Sequence, residues 1–251
     1  MTTVEVPHSS RSAVLTVSGV IEETSDARSL VFEIPAELKD KFDYKPGQFL
    51  TLRIPSDQTG SVARCYSLAS SPFTDDAPKV TVKRTVDGYG SNWLCDKLQV
   101  GDTIEVLPPS GVFTPKSLDH DFLLFGAGSG ITPVISILKS ALTQGSGNVV
   151  LIYANRDEKS VIFGAELREL AAQHPGRLTV VHWIETVQGL PAVSQLATLA
   201  KPFVAYEAFM CGPGPFMTPS TRHWQKRACP ARRFTPRSSI HSPATRSVTS
   251  R

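Results

Sequence analysis

The stretch Asp121-Phe-Leu-Leu-Phe-Gly-Ala-Gly-Ser-Gly-Ile-Thr-Pro-Val-Ile-Ser-Ile-Leu138 changes its hydrophobic period halfway, and that change decides the architecture of the second half of the chain. Phe122 to Phe125 is an unbroken apolar run, as expected of a strand buried on both faces. Beyond the glycines, Ile131, Val134, Ile135, Leu138 and Leu142 recur at helical spacing. Strand, glycine turn and helix in that order belong to a parallel sheet covered by helices. Val149–Tyr153, Leu178–Ile184 and Ala208–Cys211 read as further strands, and Phe163, Leu167 and Leu170 mark another helix. The pattern predicts an α/β domain over residues 117–217.

Toward the N-terminus the texture is different. From Val14 to Phe113 short runs alternate, with Leu50, Leu52 and Ile54 on one side and Thr51 and Arg53 on the other; Lys79–Val86 repeats the pattern. Turn residues at Lys45-Pro-Gly47, Ser71-Pro72, Asp87-Gly88 and Pro108-Pro-Ser-Gly111 punctuate these runs at a spacing that suits an antiparallel barrel. The predicted fold is therefore a multidomain α+β arrangement. An N-terminal extension, 1–13, precedes an antiparallel β-barrel over 14–116, and the α/β parallel-sheet domain follows.

Composition narrows the classes. The 251 residues are 41% hydrophobic, enough for two cores, and no apolar run approaches the roughly 18 residues of a membrane span. The first residues lack the apolar centre of a secretion signal, so a cytoplasmic location and reduced thiols are expected. Cys65, Cys95, Cys211 and Cys229 are too far apart for a local metal knuckle or iron-sulfur loop, and no metal ligand is expected. Charge is uneven: the net +3 divides into a body with 18 basic and 23 acidic residues and a stretch, Thr218 to Arg251, with eight basic residues and no acidic one.

Four segments carry chemistry. Arg64-Cys-Tyr-Ser67 places a guanidinium that can grip a pyrophosphate, a phenol that can lie against a flat heterocycle and a hydroxyl that can reach a ring nitrogen, a combination that suits a flavin. Gly88-Tyr-Gly-Ser-Asn-Trp-Leu94 follows a strand and supplies bare amides for an anion as a helix begins at Ser91. Gly126-Ala-Gly-Ser-Gly-Ile-Thr-Pro133 does the same at the buried strand, with Pro133 placed in a first helical turn where it removes no hydrogen bond. Cys211-Gly-Pro-Gly-Pro215 puts a thiol at the carboxyl edge of the sheet, where open α/β sheets bind ligands. Each also has a plain structural reading: a strand with one surface Arg, a hairpin end anchored by Trp93 and Leu94, a tight turn, a buried structural Cys. His174, His182 and Trp183 have no partner at ligand spacing and read as scaffold.

In order and spacing, these four segments resemble the ferredoxin–NADP reductase superfamily of flavin oxidoreductases, over roughly Val14 to Met217. The likeness is strongest to electron-transfer reductases whose flavin and nicotinamide domains precede a plant-type [2Fe–2S] domain. Pro46–Leu52, Gly60–Ser67 and Val82–Asp96 look most like those serving steroid-ring hydroxylases. The resemblance implies FAD bound by Arg64, Tyr66, Ser67, Val82 and Lys83, with Gly90 and Ser91 at its pyrophosphate. It implies NADH bound by Gly126, Gly128, Gly130, Thr132, Cys211, Gly212 and Pro213. Ser67, Thr132 and Cys211 would then flank the contact where hydride passes. Asn155-Arg-Asp-Glu-Lys159, with two acids where a 2′-phosphate would favour cations, points to NADH rather than NADPH. The expected partner is a terminal, Rieske-type oxygenase, with no nucleic acid and no membrane, and the expected state is a monomer. A reductase of another aromatic or acyl-CoA oxygenase, a tail-driven nucleic-acid binder and a nonfunctional product are the alternatives.

The resemblance stops at Met217. Thr, Ser, Arg and Pro supply 22 of the 34 positions from Thr218 to Arg251, a composition that predicts disorder. The [2Fe–2S] ligands of the group have no counterpart in it. We read this stretch as frameshifted, its basic charge an accident of frame. Sequencing the coding DNA is expected to open, one nucleotide away after the Met217 codon, into a frame with helical periodicity and acidic residues; an interrupted frame there contradicts the reading.

Overall fold

The computed structural model describes residues 11–214 and 216, and the backbone of 234–238. Six strands form the first sheet: β1 (Ala13–Thr24), β2 (Ala27–Glu33), β3 (Phe49–Ser56), β4 (Gly60–Ser67), β5 (Lys79–Lys83) and β6 (Thr103–Ser110). Their order is β4-β3-β6-β1-β2-β5, and every pairing is antiparallel, as the alternation predicts. Leu15, Phe32, Leu50, Leu52, Val80 and Val106 fill the interior, each buried. A short helix, α1 (Lys39–Phe42), adds Phe42 to that core.

The sheet closes on itself through one bridge, Leu68 to Val80, with the Ala69 amide donating to the Lys79 carbonyl at 2.7 Å. Extending that antiparallel register would set Tyr66 opposite Val82 and Arg64 opposite Arg84, but no further rung forms between β4 and β5 among the described residues. The barrel is thus split along this seam. Helix α2 (Tyr89–Lys97) closes its floor, with Leu94 and Cys95 joining the barrel core.

The second sheet is parallel, in the order β11-β10-β7-β8-β9. It comprises β7 (Phe122–Ala127), β8 (Val149–Asn155), β9 (Leu178–Ile184), β10 (Glu207–Gly212) and β11 (Phe234–Ser238). Every residue of β7, β8 and β10 is buried, as their unbroken apolar runs require. Helices α3 (Ile131–Gln144) and α4 (Gly164–Gln173) cover one face; α5 (Glu185–Gln188) follows β9, and α6 (Val193–Ala200) packs on the other face through Leu196 and Ala200.

Strand β11 lies in the stretch for which composition predicts disorder. Its backbone pairs in parallel register with β10, Ala208 opposite Phe234 through Gly212 opposite Ser238. The physical reason is that β10 would otherwise present a row of unpaired main-chain groups, which an added strand satisfies whatever its own composition; Pro236, lacking an N–H, suits an edge position. The rest of the expectation for 218–251, and most of that for 1–13, falls outside the described residues.

Barrel and sheet share a core. Ala27, Ala69 and Phe113 from the barrel side pack into the cluster built on α3, β7, β8 and β10, and the rings of Phe113 and Phe209 meet edge to face with centroids 5.2 Å apart. Residues Ile131 to Leu142 of α3 are all buried, including the polar stripe of Thr132, Ser136, Lys139 and Ser140. The barrel covers that stripe. At the far end of α3, the Arg177 guanidinium donates to the carbonyls of Leu142, Gly145 and Gly147, satisfying the helix terminus. Phe209→Ala removes the ring that both domains bury; urea unfolding is expected to show a loss of about 3–5 kcal/mol, and a loss under about 1 kcal/mol would contradict the shared core.

Candidate functional site

The split in the barrel brings two of the sequence motifs together. Gly88 ends the turn after β5, and α2 begins at Tyr89, two residues before the position expected from sequence. A methyl on Gly90 would lie 2.9 Å from Ile54 Cδ1 and 3.2 Å from Arg64 Cγ, so glycine lets the first turn of α2 sit beside the Arg64 side chain without displacing either side chain. Arg64 is half-buried and donates through Nη1 to the Ala63 carbonyl at 2.9 Å. Ser91 is committed to the turn itself: its hydroxyl donates to the Gly88 carbonyl at 3.1 Å and accepts from the Thr85 amide at 3.0 Å. It therefore shapes the cradle more than it fills it.

Along the same seam Tyr66 is buried, and burial pushes its phenol up, so the hydroxyl stays protonated at ordinary pH. Ser67 closes β4, half-buried, in register with Phe49. The Val82 side chain is inside the barrel and only 1% exposed, which leaves its main chain as the part able to face the seam. Lys83 is half-buried with its ammonium 3.5 Å from Asp26.

The other motifs meet at the carboxyl edge of the parallel sheet. Gly126 belongs to β7, and a tight turn, Gly128–Gly130, leads into α3. A methyl on Gly130 would stand 2.2 Å from the Cys211 carbonyl oxygen, so this turn can lie flat against the end of β10 only as glycine. Cys211 is 2% exposed, Gly212 is wedged between Ala127 and Phe216, and Pro213 is exposed. The Thr132 hydroxyl donates back to the Ser129 carbonyl at 3.0 Å, tightening the first turn of α3. The two halves touch where the Gly128–Gly130 turn packs against β5, the strand that borders the barrel's split.

Two residues of this site fall in segments that the sequence singles out, but with no role of their own assigned there. Tyr153, fully buried on β8, donates its hydroxyl to the Gly128 carbonyl at 3.1 Å and so supports the glycine turn from beneath. Asn155 ends β8, 6% exposed, beside that hydroxyl, yet neither its amide nitrogen nor its oxygen makes a well-formed hydrogen bond. A buried unsatisfied amide at a ligand-binding edge is a group prepared for a partner. Burial of a polar group is what separates these two side chains from their neighbours in the segment. Asp157, by contrast, is occupied: its carboxylate accepts from the Ser160 amide at 2.9 Å and from Arg156 Nε at 2.9 Å.

The geometry suits two nucleotides. A guanidinium and helix-start amides share one cradle at the barrel split, and bare turn amides with an unsatisfied Asn line the sheet edge next to it. Among the described residues no three His, Cys, Asp or Glu side chains gather to hold a metal, and no helix is long and apolar enough to cross a membrane.

Residues 14–114 match the oxidoreductase FAD-binding domain family and residues 124–222 the oxidoreductase NAD-binding domain family. The chain belongs to the oxidoreductases that join these two domains. In sequence it is 80% identical, over 217 residues, to the ferredoxin reductase component of 3-ketosteroid-9-alpha-monooxygenase from Rhodococcus rhodochrous, covering 86% of this chain and 62% of that protein. It is 68% identical to the component of the same name from Mycolicibacterium smegmatis, covering 84% and 61%. The chain thus spans about six-tenths of the length of these curated relatives. The fold is also that of the flavohem-like FAD/NAD binding domain of nitric oxide dioxygenase from Vibrio cholerae, with a TM-score of 0.71 at 22% identity, covering 90% of this chain and 97% of that one.

Gly130→Ala forces the turn off the Cys211 backbone and is expected to weaken NAD⁺ binding by about 10-fold or more in calorimetry. Gly128→Ala meets no neighbour and carries only the left-handed penalty, about 1–2 kcal/mol at φ +50°, so its melting temperature moves more than its affinity. Equal effects of the two on affinity would contradict the close packing.

Proposed function

We propose that the chain is an electron-transfer reductase that accepts hydride from NADH at FAD and passes electrons toward a terminal oxygenase component, one that hydroxylates a 3-ketosteroid. The observation that carries this reading is the meeting of the two cradles, with the Gly128–Gly130 turn of the sheet domain packed on β5 at the mouth of the barrel's split. The names of the two close relatives supply the steroid oxygenase as partner.

Arg64 and the first amides of α2 would hold the FAD pyrophosphate, a paired charge-assisted contact reinforced by a helix N-terminus. Tyr66, kept neutral by burial, would set its ring beside it, and the Ser67 hydroxyl stands at the end of β4, two residues before Ala69 of the shared core. FAD when bound accepts two electrons as a hydride and releases them singly. Across the seam, the Gly126–Gly130 turn and the start of α3 would take the phosphates of NADH, and the unsatisfied Asn155 amide would take a polar edge of the same nucleotide. Thr132 and Cys211 would flank the nicotinamide, the thiol excluding water while adding no charge. Asp157 is spent on its own loop and holds Arg156 there, so selection of NADH falls to Glu158 rather than to both acids.

Purified chain supplied with FAD is expected to turn yellow and to reduce ferricyanide with NADH. Arg64→Ala is expected to weaken FAD binding roughly 10- to 100-fold, the size of a lost charge-assisted contact. A colourless chain that takes up no FAD, or an Arg64→Ala variant that binds it as tightly as before, would overturn the proposal.

A further inference from the structure

Thr132, Ser136, Lys139 and Ser140 recur at helical spacing along α3. Their lower members face the barrel: Ser136 donates to the Ser70 carbonyl at 2.6 Å, and Ser140 and Ser71 share a hydrogen bond of 2.8 Å. Between these, Lys139 is 5% exposed, and its ammonium lies 2.8 Å from an Asp75 carboxylate oxygen of the barrel and 2.8 Å from a Glu166 oxygen of α4. Asp75 is itself fixed, accepting from the Ser71 amide at 2.8 Å. Lys79, at the start of β5, approaches the same Glu166 at 3.5 Å and stands over the Phe163 ring, 5.2 Å from its centroid. Phe163 holds a left-handed backbone, φ +61°, just beyond the loop that follows Asn155. One buried ammonium therefore ties a barrel loop to two helices of the sheet domain.

We propose that Lys139 is a positioning residue for hydride transfer, acting through α3. Thr132 is two helical turns from Lys139 on the same face, and the glycine turn continues directly from Thr132. Arg177 fixes the opposite end of α3 to its own domain, so the tie to Asp75, the charged one among three polar contacts from α3 to this barrel loop, sets the helix against the barrel together with the two serine hydrogen bonds. Apolar contacts across the seam can slide; a charged pair with a fixed acceptor is directional. The inference rests on the reductase reading. The reaction concerned passes one hydride, two electrons with one proton, from NADH to FAD, leaving NAD⁺ and reduced flavin, with solvent supplying the second proton. Its rate falls steeply with small misplacements of the reacting groups.

The test uses the full chain loaded with FAD. In Lys139→Met, flavin reduction at saturating NADH is expected to fall about 10- to 100-fold while FAD and NAD⁺ affinities stay within about 3-fold. Amide exchange is expected to quicken together at 70–75 and 136–140, leaving β7 and β8 protected. Asp75→Asn leaves the ammonium paired with Glu166 and carries the same expectations if Lys139→Met does not fold. Reduction at the unmodified rate in either variant, or a rate loss matched by loss of nucleotide affinity, overturns the positioning role alone. An unmodified chain that binds neither FAD nor NAD⁺ overturns the reductase reading, and the positioning role with it.

Discussion

Helix α3 is enclosed on every side, and the rest of the molecule is arranged around that constraint. Its apolar face, with Ile131, Ile135 and Leu138, packs on the parallel sheet, as amphipathic helices do; its polar face is covered by the barrel. A buried hydroxyl or ammonium without a partner costs more than a hydrogen bond returns, so the barrel has to present acceptors at matching positions. The Ser70 carbonyl, the Ser71 hydroxyl and the Asp75 carboxylate do so, all within one short loop. The relative placement of the two nucleotide cradles follows from this match. Breaking a buried ion pair from one side typically costs about 3–5 kcal/mol, so the arrangement resists drift.

Two glycines translate that placement into chemistry. Gly90 lets a helix start approach the Arg64 side chain, and Gly130 lets a turn lie against the Cys211 carbonyl. At Gly130 the missing Cβ avoids a clash with backbone and at Gly90 a crowding of the Ile54 and Arg64 side chains, and the nearby cation or helix start supplies a field for an anion. The polar groups that remain unsatisfied are then informative: the Asn155 amide is buried at the sheet edge with no well-formed hydrogen bond among the described residues.

The local structure of the motifs is legible in the sequence where it follows from hydrophobic spacing and glycine placement. Gly126 to Pro133 between a buried run and a helical period identifies a strand-to-helix turn, and Arg64 to Ser67 at a strand end identifies a cation beside an aromatic. The sequence is less exact where a side chain has two possible partners. The Ser91 hydroxyl, expected near a pyrophosphate, also braces its own turn, and Asp157, one of the two acids expected to disfavour a 2′-phosphate, also caps Ser160. Hydroxyls and carboxylates at loop ends compete between backbone and ligand, and the sequence does not say which partner is nearer.

Sequence alone determined the two domains, their strand types and their four motifs, because alternation, continuous apolar runs and helical spacing are one-dimensional records of which side of an element meets a core. It could not reveal that the barrel closes by one bridge, that Ser136, Lys139 and Ser140 face a neighbouring domain rather than water, or that Phe234 to Ser238 pairs with β10. Those features depend on which surfaces come together from distant parts of the chain, and a polar stripe covered by a matching partner has the same spacing as one covered by solvent.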